Sequence, residues 1–165
     1  MQLAISSREL TTVLREPAQD ELDPVFSSLA DGRFALGLET IYEGYLAHYG
    51  SPRLLEPADD DAALVLGDYF YAQGLARIAA LGVVEAVGDL AALISLCAQA
   101  RADRRGGDGV AWAATAALMG QGRLEAARTA LRDRGDSSPL ERLAREAAGD
   151  RELDRALETH ARLVG

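Results

Sequence analysis

The run Leu66-Gly67-Asp68-Tyr69-Phe70-Tyr71-Ala72 sits near the middle of a long proline-free helical stretch. A glycine and an aspartate interrupt residues that are otherwise apolar. Glycine costs roughly 1 kcal/mol against alanine inside a helix. A buried carboxylate without a partner costs more still. Such a pair in mid-helix predicts close packing on Gly67. It also predicts an Asp68 that is at least half buried and has a polar partner. Upstream, Asp59, Asp60 and Asp61 precede Ala62-Ala63-Leu64-Val65-Leu66. One aspartate caps a helix and the others favour the positive end of its dipole. The helix is expected from 59 to about 81, with Gly82 as its stop. Leu64, Val65, Leu66, Tyr69, Phe70, Leu75, Ile78 and Leu81 make it apolar nearly all round. That pattern predicts the central and most buried helix of the fold.

The same reading extends along the chain. A short helix is expected near 6–16, followed by an irregular link with Pro17 and Pro24. A helix from about 25 to 48 bends at Asp31-Gly32 and ends at Gly50-Ser51-Pro52. Another covers about 83–104, before the loop Arg105-Gly106-Gly107-Asp108-Gly109. Helices over about 109–119 and 123–134 flank Gly120-Gln121-Gly122 as an ordinary helical hairpin. Pro139 opens a helix to about 148, and a last one covers about 150–163. No segment alternates with period two, so no strand is expected. The predicted fold is all-α, an antiparallel helical bundle of roughly six to eight helices. It forms a single helical domain over 1–165, with 1–24 less regular and 59–104 as a core helical hairpin.

Composition narrows the function. The apolar fraction of 48% is ample for a core, while aromatics are only 5%. Alanine and leucine dominate, which favours helices packed through small side chains. The formal charge is -9, and all 17 basic residues are arginine. An acidic chain without basic blocks argues against nucleic acid and anionic membrane surfaces. Cys97 is the sole cysteine, so no internal disulfide forms, and its apolar neighbours mark it as a small core residue. The start, Met1 to Glu9, lacks a basic segment followed by an apolar one, and no run reaches membrane-span length. The expected location is the cytoplasm.

Residues 62–99 resemble the trans-prenyltransferase (polyprenyl diphosphate synthase) family. Ala62 to Ala72 is similar to that family's A-V-L-L-G-D-Y-L-L-A helix. Leu81-Gly82, Glu85-Ala86-Val87 and Leu93-Ile94 follow much as its next helix does. Gly50-Ser51-Pro52-Arg53 stands where the family carries G-x-P-T. In that register the first D-D-x-x-D motif falls on Glu39-Thr40-Ile41-Tyr42-Glu43, and the arginine pair after it falls on His48-Tyr49. Ala114-Thr115-Ala116-Ala117-Leu118 resembles K-T-A-x-L without its lysine. No second D-D-x-x-D is present; Asp150 and Asp154 keep the outer spacing but enclose Arg151, and they read as a helix cap and a solvated face.

The family's reaction uses magnesium between clustered carboxylates and a diphosphate, with cations to hold the anion. Glu39 and Glu43 keep two carboxylates at i, i+4 on one helix face. Thr40 removes the middle ligand, and His48 and Tyr49 remove two permanent cations. The resemblance therefore implies part of the isoprenoid (terpenoid) synthase fold without its chemistry. It points to a non-catalytic subunit, like the motif-less small subunit of a heterodimeric long-chain synthase, that helps shape the chain-length cavity. It implies no catalytic residue and no cofactor, with magnesium only through a catalytic partner. Glu39, Tyr42, Glu43, Gly67, Asp68 and Phe70 are the positions expected to face a prenyl chain or a partner. Glu39 and Glu43 are the only candidates for a weak metal site. A di-iron site needs Glu-x-x-His twice, and none occurs. Tyr42, Tyr45, Tyr49, Tyr69 and Tyr71 read as core, or as the lining of a prenyl tunnel.

A second class stands beside this one. Gly122-Arg123-Leu124-Glu125-Ala126-Ala127, with Leu131 and Pro139, matches the second half of a tetratricopeptide unit. Arrays need about three units, and one is visible. That alternative is a helical protein-interaction adaptor. For the subunit reading, a homodimer in isolation or a heterodimer with a catalytic prenyl diphosphate synthase subunit is expected. Either would form through an exposed apolar patch above roughly 400 Å².

Overall fold

A computed structural model describes residues 23–165, so the helix expected near 6–16 lies outside the described residues. Two 3-10 turns, Ser27–Leu29 and Gly32–Phe34, lead into α1 (Ala35–Tyr49). Then follow α2 (Asp60–Ala79), α3 (Val84–Ala102), α4 (Asp108–Leu118), α5 (Glu125–Arg134), α6 (Ser138–Ala148) and α7 (Asp150–Val164). No strand forms among the described residues, and the chain is all-α.

Local chemistry explains the boundaries. Asp59 caps α2 by accepting from the Ala62 N–H at 2.8 Å. At the end of α5, Gly135 takes a left-handed conformation (φ 69°). The Gly135 and Asp136 N–H groups return to the Leu131 and Ala130 carbonyls, a closure that favours glycine. Pro139 sits in the first turn of α6, where its missing N–H has no helical acceptor to lose.

The helix expected over 25–48 starts only at Ala35. Its first half is two short turns pinned by the buried rings Phe26 and Phe34. Asp31 accepts from the Arg33 N–H and stops any helix from running through.

The most buried helices are α1 and α4, not the helix at 59–81. Leu38, Ile41, Tyr42, Tyr45 and Leu46 are fully buried. By contrast, α2 buries only Leu66, Gly67, Gly74 and Ile78. Its apolar girdle is real, but among the described residues one face alone is packed. That face lies along α1 through two glycine pairs. Gly74 packs at Gly37 and Gly67 at Gly44, one heptad up one helix for one heptad down the other. A Cβ on Gly74 would stand 2.8 Å from the Gly37 carbonyl oxygen, and one on Gly44 2.8 Å from that of Gly67. Only glycine admits so close an approach.

The expected 109–134 hairpin does not form as such. Helix α4 lies along α6 and also meets α3 and α7, whereas α5 packs on α3 and α6. The reason is an ion pair. Arg128 on α5 reaches Asp89 on α3 at 2.9 Å, with both side chains buried. The other Asp89 oxygen accepts from the Gly120 N–H at 2.7 Å. These bonds draw α5 toward α3 and off α4.

Candidate functional site

Besides the buried Arg128–Asp89 pair, two polar clusters lie inside this apolar frame, and an apolar face lies outside it. The first cluster holds the carboxylates of α1. Helical spacing sets Glu39 and Glu43 on one side of α1, as the sequence requires. Arg53, from the link after α1, lies between them. Its Nη2 donates to Glu39 Oε2 at 2.8 Å and its Nε to Glu43 Oε2 at 3.1 Å. The remaining oxygens are also engaged. Glu43 Oε1 accepts from the Leu54 N–H, and Glu39 Oε1 from the Val25 and Ser27 N–H groups. Glu43 is 1% exposed. Burial alone would lower the Arg53 pKa, but the two glutamates outweigh it and hold the guanidinium firmly charged.

This donor set does not fit magnesium. All four carboxylate oxygens are already acceptors, and the guanidinium stands where a bridging cation would have to enter. The cluster clamps α1 to the link and to the turn before it. A cavity of about 190 Å³ opens beside it, lined in part by Leu36, Glu39, Glu43, Arg53 and Phe70. Three of the expected positions, Glu39, Glu43 and Phe70, thus share one cavity. Tyr42 lies fully buried behind them, with the Arg53 guanidinium 5.3 Å from its ring centre.

Gly67 and Asp68 belong to a different place. A Cβ on Gly67 would meet the His48 imidazole at 2.5 Å, so this glycine makes room for a ring. Asp68 has the expected polar partner, His48 Nε2 at 3.2 Å, but its side chain is 73% exposed. The expectation of a half-buried Asp68 is therefore corrected. The carboxylate points off the outer flank of α2, where water solvates it, and its burial has no cost to offset.

The second cluster joins helices far apart in sequence. Tyr42 Oη and His160 Nδ1 are 2.9 Å apart, and His160 Nε2 lies 3.3 Å from Asp108 Oδ2. Tyr45 donates to the same Asp108 oxygen, which Arg101 Nη2 approaches at 2.6 Å. One tautomer satisfies every partner: Nδ1 accepts from the Tyr42 hydroxyl and Nε2–H donates to Asp108. Burial would raise the Asp108 pKa. Hydrogen bonds from His160 and Tyr45 and the charge of Arg101 overcome it and hold the carboxyl well below its usual range. Burial, aided by Asp108, pushes the Tyr45 phenol up; burial likewise raises Tyr42. Phe26 and Trp112 pack their rings around this network. Reasoning from sequence missed His160. The available signal was its register with Leu153 and Ala156, the buried face of α7.

The outer surface of α2 and α3 is the third feature. Leu64 (55% exposed), Val65 (50%) and Tyr69 on α2 face outward, with Leu81 and Val84 (77%) at the turn into α3. Tyr69 thus departs from the core reading of the tyrosines, which Tyr42 and Tyr45 fulfil. Cys97 is buried, as its neighbours indicate.

No family model, curated protein or solved structure matches the chain.

Its chemistry is therefore read from its own geometry. Among the described residues no three metal-ligating side chains gather, and no helix is long and apolar enough to cross a membrane. The charged groups of the two polar clusters are engaged within them. Trp112 Nε1 and Arg128 Nε are buried without a hydrogen-bond partner, and the apolar outer side of α2 stays exposed among the described residues.

Proposed function

We propose that the chain is a non-catalytic helical subunit that associates with a partner through the outer face of α2 and its turn into α3. The observation that carries this reading is the exposure of Leu64, Val65 and Tyr69 along α2, with Leu81 and Val84 also exposed at the turn into α3. Single apolar residues on a surface need no explanation, but Leu64, Val65 and Tyr69 stand within about one and a half turns of each other on one side of α2, which supports an interface there. It also accounts for an α2 sequence that is apolar all round although only one side packs on α1.

The resemblance over 62–99 names the class of partner: a catalytic prenyl diphosphate synthase subunit, whose chain-length cavity this chain helps to shape. The Arg53 clamp supports the non-catalytic part of the reading. A guanidinium between Glu39 and Glu43 engages both of the carboxylates that a diphosphate–magnesium chemistry would need. The test combines association with turnover. Purified chain, mixed with a long-chain synthase catalytic subunit from the same genome, should co-elute with it and change its product length. Alone, with an allylic diphosphate, isopentenyl diphosphate and magnesium, it should show no turnover above a Glu39→Ala control. Turnover by the isolated chain would end the non-catalytic reading. Co-elution unaffected by Val65→Glu would end the assignment of the interface.

A further inference from the structure

We propose that the outer face of α2 and α3 receives an amphipathic helix with basic flanks, supplied by a different protein and not by a second copy of this chain. The inference rests on the reading of α2 as an interface and adds the chemistry of what sits there.

The face is mostly apolar, with Asp68 about one turn from Leu64, Val65 and Ala72. Leu64, Val65, Tyr69 and Val84 are its exposed large residues, and Ala72, Ala76, Gly88 and Ala91 are exposed small ones on the same two helices. From Ala86 to Ala100 the only charged residue of α3 is Asp89, which is buried against Arg128. A helix laid here meets large side chains beside small ones, as ridges need grooves.

The exposed charge on and around the face is predominantly acidic. Asp59, Asp60 and Asp61 at the start of α2, Asp68 midway and Glu85 at the start of α3 are all exposed. Among the described residues, none of Asp59, Asp60, Asp61 and Glu85 pairs with an arginine, and Asp68 meets only His48. Arg77 is the one exposed cation on the two helices; Arg101, their other cation, is engaged by Asp108 and Tyr45. Two copies laid face to face would bring these acidic groups together within a chain already at -9. Arginine or lysine flanks on an incoming helix would instead pair with them and speed its encounter.

The test uses the full chain and labelled synthetic helices of about 18 residues, read by fluorescence anisotropy. One peptide has a leucine–alanine stripe with arginine flanks, a second the same stripe with glutamate flanks, and a third scrambles the first. The arginine-flanked helix should bind at least about tenfold tighter than either control, and less tightly as salt rises. Val65→Glu should abolish that binding. The joint change Asp61→Asn, Asp68→Asn and Glu85→Gln should weaken it about tenfold while the circular dichroism stays unchanged. Equal binding of the glutamate-flanked or scrambled peptide, or no binding of any, overturns the proposal. If the chain instead self-associates and Val65→Glu returns it to a monomer, the face is still an interface and only the basic-helix proposal falls. If Val65→Glu alters neither peptide binding nor association with a synthase subunit, the reading of α2 as an interface falls with it.

Discussion

Tyr42 and His160 are 118 positions apart and meet in a buried 2.9 Å hydrogen bond. The bond ties the last helix to α1, and Asp108 completes the chain from α4. Truncating one member strands the others away from water. His160→Leu should destabilise the fold by about 2–4 kcal/mol, and Tyr42→Phe by about 1–3 kcal/mol. Urea unfolding of both single variants and the double variant gives the coupling. A coupling energy near zero would show that the two groups act separately.

The same network sets a dependence on acid. The Asp108 carboxyl is held below its ordinary value in the folded chain, so the unfolded chain binds the proton first. Its contribution is fully present above the unfolded carboxylate value of about 4 and is lost as pH falls through the folded one. The urea midpoint should therefore drop steadily below about pH 4. In Asp108→Asn the drop should be shallower. Parallel curves for the two proteins would contradict the assignment.

The glycine crossing makes opposite predictions for like substitutions. Gly88→Ala in α3 adds a methyl in open space, and should stabilise by about 0.5–1 kcal/mol through helix propensity. Gly74→Ala has the same propensity gain, but its methyl would lie 2.3 Å from Ile41 Cγ1 and 2.8 Å from the Gly37 carbonyl oxygen. Displacing backbone costs more than propensity returns, so a net loss of about 1–3 kcal/mol is expected. Thermal melts of the two variants should move in opposite directions.

Much of the fold is legible in the residues because its signals are local. Asp59 and the two acids after it, Gly50-Ser51-Pro52, Pro139 and the glycine loops act within a turn or two of where they stand. The helices from 60 to 164 follow them closely. What α2 faces is not local. An all-round apolar helix has the same sequence whether its own chain or a partner covers it, so its pattern predicts burial for a face that the described residues leave open. The core site was illegible for a related reason. Tyr42, Asp108 and His160 carry no common spacing, and only the meeting of α1, α4 and α7 brings them together. Arg53 reads in sequence as one residue of a turn; its engagement with Glu39 and Glu43 depends on the chain folding back along α1.

Arg53 gives the clearest stability test of the first cluster. Arg53→Met keeps the bulk and removes the charge, leaving Glu43 buried without its guanidinium. A loss of about 3–5 kcal/mol is expected. The double change Arg53→Met, Glu43→Gln should recover part of it, since a neutral amide is less costly to bury. No recovery would mean that packing, not charge, holds the clamp.

The central claim is that the open face of α2 is an interface. Sedimentation velocity tests it most directly, on the chain mixed with a catalytic long-chain prenyl diphosphate synthase subunit, beside the Val65→Glu, Tyr69→Glu variant at the same concentration. Both substitutions lie on exposed positions, so the variant should fold as the parent does. The account predicts one co-sedimenting species for the parent chain and two separate species for the variant. Parent and variant sedimenting alike, whether both bound or both free, would contradict it.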